Sequence, residues 1–148
     1  MALADSIIGY GISSYGRTYT TYLQDIYNLQ VRILKSIVPK NVKAKYKNDQ
    51  EGLFKFCNVM SVFNKFKFAI LNECQNKHLL IQRVRPNILR EINYKNKYVT
   101  FQTNNIYGSR TLRNIVPTIV NSLPSKIQDI DQPKFISDLK KFLVAGSV

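Results

Sequence analysis

The chain contains no tryptophan, a single histidine, two cysteines, and nine acidic residues against 22 lysines and arginines in 148 positions. Each scarcity removes a class of chemistry. Cys57 and Cys74 cannot build the disulfide framework of a small secreted domain, so reduced, packed thiols are expected. With His78 as the sole imidazole, nucleophilic catalysis would have to run through Cys74 and His78. These are four apart and can share a helix face, yet no third group is identifiable to orient the ring. Cys57, Cys74 and His78 also fall one ligand short of a structural zinc site, at unfavourable spacing. Phosphoryl transfer through two metals needs clustered carboxylates. A close pair, Asp129 and Asp131, lies between Pro124 and Pro133, where aspartate ordinarily forms turns. Gly9, Gly11 and Gly16 lack the spacing of a nucleotide fingerprint, and no Gly-Lys-Ser/Thr occurs. The expectation is a chain without catalytic residues, metal or cofactor.

No run of about 18 apolar residues occurs, and the first dozen positions carry Asp5 in place of a basic signal-peptide start. A soluble, intracellular chain, nuclear or cytoplasmic and not secreted, is therefore expected, with no membrane partner. What the sequence does have is enough apolar material, at 45% hydrophobic residues, for a packed core. It also has a charge imbalance confined to its middle. Residues 1–31 and 114–148 are close to neutral, so the net charge of +13 sits in residues 32–113. Such a field attracts polyanions, inside a cell either nucleic acid or an anionic membrane surface, and nucleic acid is the partner expected here.

The clearest periodicity runs from Thr21 to Val38, where Tyr22, Ile26, Leu29, Ile33 and Ile37 recur at helical spacing and Leu23, Tyr27 and Leu34 widen the stripe. Gln24, Asp25, Asn28, Arg32 and Lys35 take the other face, and Thr21 with Gln24 reads as a capping box. Pro39 ends this helix, and the lysine-rich stretch from Lys40 to Lys47 reads as a basic loop. A short helix is expected over Gln50 to Cys57. Ser61 should cap a longer one from Val62 to about Asn76, apolar around much of its circumference and central to the fold. Three glycines among the apolar residues of 6–16 call for close backbone packing.

Beyond Lys77 the pattern weakens, although partial alternation over Tyr94 to Phe101 suits a short strand, as in a hairpin near 94–107, or an extended loop. Pro117 fits the first position of a helix that Pro124 terminates, and a last helix follows Pro133 with Phe135, Leu139, Phe142 and Leu143 inward. The fold class is thus mainly α: a small helical bundle of about five to six helices with a loop-rich basic segment. It reads as a single domain or fragment. Its parts are an N-terminal helix pair (1–38), a basic loop and short helix (39–61), a central helix (62–76), a basic loop-rich segment (77–116) and C-terminal helices (117–148).

Cations and aromatics interleave at Lys65-Phe66-Lys67-Phe68, Tyr94-Lys95-Asn96-Lys97-Tyr98 and Tyr107-Gly108-Ser109-Arg110. Lysines and arginines can neutralise phosphates while rings stack on unpaired bases. Phe66 and Phe68 cannot both face one side of a helix and read as core. Tyr94 and Tyr98, outside strong periodicity, are the stacking candidates.

Three blocks stand in a telling order. The first is Ser6 to Gly16, followed by Tyr22-Leu23 and Leu29-Gln30-Val31-Arg32-Ile33-Leu34-Lys35-Ser36-Ile37. The second runs from Gly52-Leu53-Phe54 through Val59 into the Val62 to Leu71 helix. The third joins Tyr107 to Arg113, Pro117, Asn121-Ser122-Leu123-Pro124 and the closing Phe135 to Leu143. Together they resemble the region that follows the catalytic palm in reverse transcriptases of non-LTR retrotransposons of the jockey-like insect type. The resemblance spans nearly the whole chain, with Tyr15 and Val120 standing where that family usually has tryptophan. The family's Tyr-x-Asp-Asp polymerase motif does not occur in the chain.

The resemblance implies a thumb and C-terminal extension, a non-catalytic element that lies against primer and template and holds RNA or an RNA–DNA hybrid without sequence specificity. Arg32, Lys35, Lys40, Lys43, Lys45, Lys47, Arg83, Arg85, Arg110 and Arg113 would form the phosphate track. An upstream polymerase domain would be its partner. The rival expectation is a protein-interaction or self-associating fragment with no nucleic-acid role.

Overall fold

A computed structural model describes residues 2–17, 20–76, 98–100, 105–130 and 133–145. The described residues form nine α-helices and one 3-10 turn with no strand, so the protein is mainly helical as expected. The helices outnumber the expected five or six because α2 (Ile12–Tyr15), α4 (Lys40–Lys45) and α7 (Ile106–Ser109) are one or two turns each. Periodicity cannot register in so few residues. The hairpin expected near 94–107 falls largely outside the described residues; within them, Tyr98 makes a single β-bridge, 99–100 and 105 are irregular and 106–109 are helical. The chain divides into two compact units, Met1–Ala69 with Leu139–Val148, and Ile70–Asp138.

The first unit is organised by α3 (Thr20–Ile37), the amphipathic helix of the sequence. Thr21 lies inside the helix and the Gln24 amide donates to Asn28 at 3.3 Å, so the expected capping box does not form. The buried face also differs from the expected one. Leu23, Gln30, Val31 and Leu34 are buried, whereas Tyr22, Leu29 and Ile37 are 61%, 53% and 58% exposed. Both sets obey helical periodicity, and the partner helices decide between them. Leu53 and Phe54 of α5 (Gln50–Phe56) pack on Val31 and Leu34. Val62, at the start of α6 (Val62–Asn76), packs with Leu23 and Ile12. The Tyr27 ring stacks on Phe54 at 5.4 Å between centroids and meets Phe63 at 5.6 Å, joining the two clusters.

Gln30 is the polar residue on this buried face. Its Oε1 accepts from the Val62 backbone N–H at 2.7 Å and its Nε2 donates to the Met60 carbonyl at 3.4 Å. Ser61 Oγ accepts from the Asn64 N–H, which fulfils the expected cap. Two side chains thus occupy donors that a helix start leaves unsatisfied. Asp49 does the same for α5 by accepting from the Gly52 N–H at 2.8 Å. Of the early glycines, Gly16 carries the expected close packing: a Cβ there would stand 2.5 Å from the Ile12 carbonyl oxygen and inside the Phe66 ring. Gly11 serves differently, at φ 66° as the left-handed residue before α2. The Asn64 amide reaches the Leu143 carbonyl of α9 (Phe135–Ala145) at 2.8 Å.

In the second unit, Pro117 does not start a helix but sits within α8 (Leu112–Asn121). Proline there lacks the N–H that would bond four residues back. The Thr118 hydroxyl donates to the Asn114 carbonyl at 2.8 Å, serving the backbone beside the break. The Asn121 amide pairs with both backbone groups of Tyr98, at 2.9 and 3.1 Å, as a neighbouring strand would. Gln128 donates to the carbonyls of Leu123 and Asn121 past the helix end, and Gln75 donates to that of Ile130.

Candidate nucleic-acid interface

Six cations, Arg32, Lys35, Lys40, Lys43, Lys45 and Lys47, fall within sixteen positions with no acid among them. The structure places them at the end of α3, along α4 and in the turn after it, all in the first unit. Lys35 is half-buried and the other five are exposed. The stretch 40–45, expected as a loop, is helical. Lysine and alanine are good helix formers, and Pro39 occupies the N-cap with its fixed φ. A helix holds Lys40 and Lys43 on one side, where a loop would scatter them.

Arg110 and Arg113 belong to the second unit, Arg110 at the C-cap of α7 and Arg113 in the first turn of α8. Arg83, Arg85 and Tyr94 lie outside the described residues. Tyr98 is a correction: the residue is 4% exposed and its hydroxyl accepts from the Ile130 N–H, so it is a core residue and no stacking surface. The sequence showed weak periodicity there but not the Asn121 amide that draws this segment inward.

The exposed aromatics are elsewhere. Tyr107, in the Tyr107-to-Arg110 segment, is 77% exposed, and Phe56 is 56% exposed. Phe54-Lys55-Phe56 carried a usable signal: residues two apart on a helix face opposite ways, so burying Phe54 turns Phe56 outward. Phe56 meets the Tyr46 ring at 5.8 Å, and Lys45 Nζ stands 5.4 Å above the centre of that ring. This is cation–π distance.

The other candidates resolve plainly. Cys74 is buried, Cys57 is half-buried with its thiol pushed up by desolvation, and His78 lies outside the described residues. Asp129 is half-buried and Asp131 is outside them. No group of three metal-ligating side chains occurs among the described residues, nor any helix long and apolar enough to cross a membrane. At the two positions where tryptophan was absent, the Tyr15 hydroxyl donates to the Ile8 carbonyl and Val120 is fully buried, so both are packed. The chain matches no protein-family model, no curated protein and no solved structure.

Proposed function

We propose that this chain is a non-catalytic nucleic-acid-binding element that holds the phosphates of RNA or an RNA–DNA hybrid without reading sequence, as a thumb and C-terminal extension of a reverse transcriptase would. The observation that carries the reading is the acid-free tract of six cations on α3, α4 and the following turn. Phosphate neutralisation by lysine and arginine needs no particular base, and its signature is counterion release. With about six contacts, affinity for a labelled RNA–DNA hybrid should drop on the order of a thousandfold between 50 and 200 mM salt, equally for unrelated sequences. Affinity that stays flat over that range would refute the phosphate track. An upstream polymerase domain as partner belongs to the same reading.

A second reading rests on the outer stripe of α3, where Tyr22, Leu29 and Ile37 are exposed and Ile26 and Ile33 half-buried. These five residues are spaced almost symmetrically about the Leu29–Gln30 bond. Two copies paired antiparallel would set Tyr22 against Ile37 and Ile26 against Ile33. Asp25 would then lie near Arg32 and Lys35 of the second copy, an isologous and charge-complementary contact. We expect light scattering to report a dimer that dissociates on dilution and that Leu29→Glu abolishes. A monomer at every concentration removes this reading and leaves the first untouched.

A further inference from the structure

We propose that Phe56, backed by Tyr46, is a stacking platform for one unpaired base of a single-stranded nucleic acid, set into the cationic surface of the first unit. The inference rests on the phosphate-binding reading and adds the strand type and the residue that senses it. Phe56 ends a helix whose other phenylalanine, Phe54, is buried, so its exposure follows from helix geometry and not from loose packing. Its ring is held on one side by Tyr46 at 5.8 Å and an interplanar angle of 36°. Tyr46 is itself fixed by the core cluster of Val31, Leu34, Leu53 and Phe54. It also presses on α5, where a Cβ at Gly52 would meet the Tyr46 ring carbon at 2.9 Å. A ring anchored in this way loses little freedom when a ligand covers it, which is what an aromatic platform requires.

The surroundings favour a polyanion over an apolar ligand. Lys45 Nζ stands over Tyr46, Lys55 precedes Phe56 in the chain, and Lys43 and Lys47 flank Lys45 and Tyr46 in sequence, all four lysines being exposed. These four lysines outnumber the two acids nearby, Asp49, which accepts from the Gly52 N–H, and Glu51 in the first turn of α5. A single strand laid over these lysines would have its phosphates neutralised while one base turns onto Phe56. Base–aromatic stacking tolerates any base, because each has a π face. Paired bases in a duplex offer no such face, so the platform discriminates single strands from hybrids where the lysines do not.

The absence of tryptophan supplies the test. Phe56→Trp introduces the one indole of the chain, and its emission should be quenched as oligouridylate saturates the protein, with affinity retained. Phe56→Ala should weaken oligouridylate binding by about 5- to 150-fold, the equivalent of one stacked base. It should leave both the salt slope and the affinity for an RNA–DNA hybrid of equal length unchanged. Circular dichroism verifies that each variant stays helical. Indole emission of the Phe56→Trp variant that saturation leaves unquenched, or Phe56→Ala binding the single strand like the parent chain, overturns the platform while a steep salt slope keeps the phosphate track alive. Should the parent chain bind neither strand type, both readings fall together.

Discussion

Gln30 is the most informative single side chain in the protein. It lies in the Leu29-Gln30-Val31-Arg32 segment, where a polar residue on a widened apolar stripe looks like an interruption. The structure makes it the cap of another helix, accepting from Val62 and donating to Met60 from a site 5% exposed. Replacing Gln30 by Met keeps the volume but leaves a buried N–H without an acceptor, which costs about 1–3 kcal/mol. Urea denaturation should therefore place Gln30→Met close to Gln30→Ala in stability and well below the parent. A Met variant as stable as the parent would show that only packing matters at this position. Asn121 follows the same logic with Tyr98. These two amides were visible as letters in the sequence, but their roles depend on partners 32 and 23 positions away, a separation no local pattern encodes.

The long helices were legible because each repeats its pattern over enough turns: α3 and α6 begin and end within a residue or two of the expected limits, as does the shorter α5, and α9 begins two residues after the expected Pro133. What periodicity could not decide was which of two adjacent stripes on α3 faces inward. That choice belongs to Phe54, Phe63 and Val62, which gather around Tyr27, Val31 and Leu23. Likewise α4 was hidden by its charge, and Pro117 by the habit of proline at helix starts. The aromatic junction at Tyr27 gives this arrangement a pH dependence. Desolvation raises the Tyr27 phenol above its ordinary value of 10.0, and the carboxylates of Glu51 and Asp49 add to the effect; desolvation alone raises Tyr15. A group whose folded pKa is raised holds its proton more tightly when folded, so its contribution to stability is intact below the ordinary value and disappears as pH climbs past it. The half-buried Cys57 thiol, raised above its ordinary 9.0, adds to this, so the urea midpoint should hold steady up to about pH 8 and decline from about pH 9, more steeply past pH 10. Tyr27→Phe should soften the decline past pH 10 without removing it, since Tyr15 and Cys57 still titrate. An equal decline in the variant would locate the dependence elsewhere.

Taken as one chain, the protein concentrates its excess charge in 32–113, yet the described cations of its phosphate track fall into two compact units: six at 32–47 in the first, Arg110 and Arg113 in the second. The sequence showed the concentration but not this partition, because charge counting is blind to which residues fold together. The partition makes the contributions separable by counterion release. Each phosphate contact removed should reduce the slope of log affinity against log salt by about 0.9 on duplex and about 0.7 on a single strand. Changing Lys40, Lys43, Lys45 and Lys47 together to Gln should flatten the hybrid slope by about 3–4. Changing Arg110 and Arg113 to Gln should flatten it by at most about 2. The lysine loss should be the same for unrelated sequences, since none of these side chains is asked to read a base edge. If the quadruple variant keeps the full slope, the exposed tract on α3 and α4 is a solvated helical surface and nothing more. The arginines of the second unit would then be the next place to look for whatever anion the charge attracts.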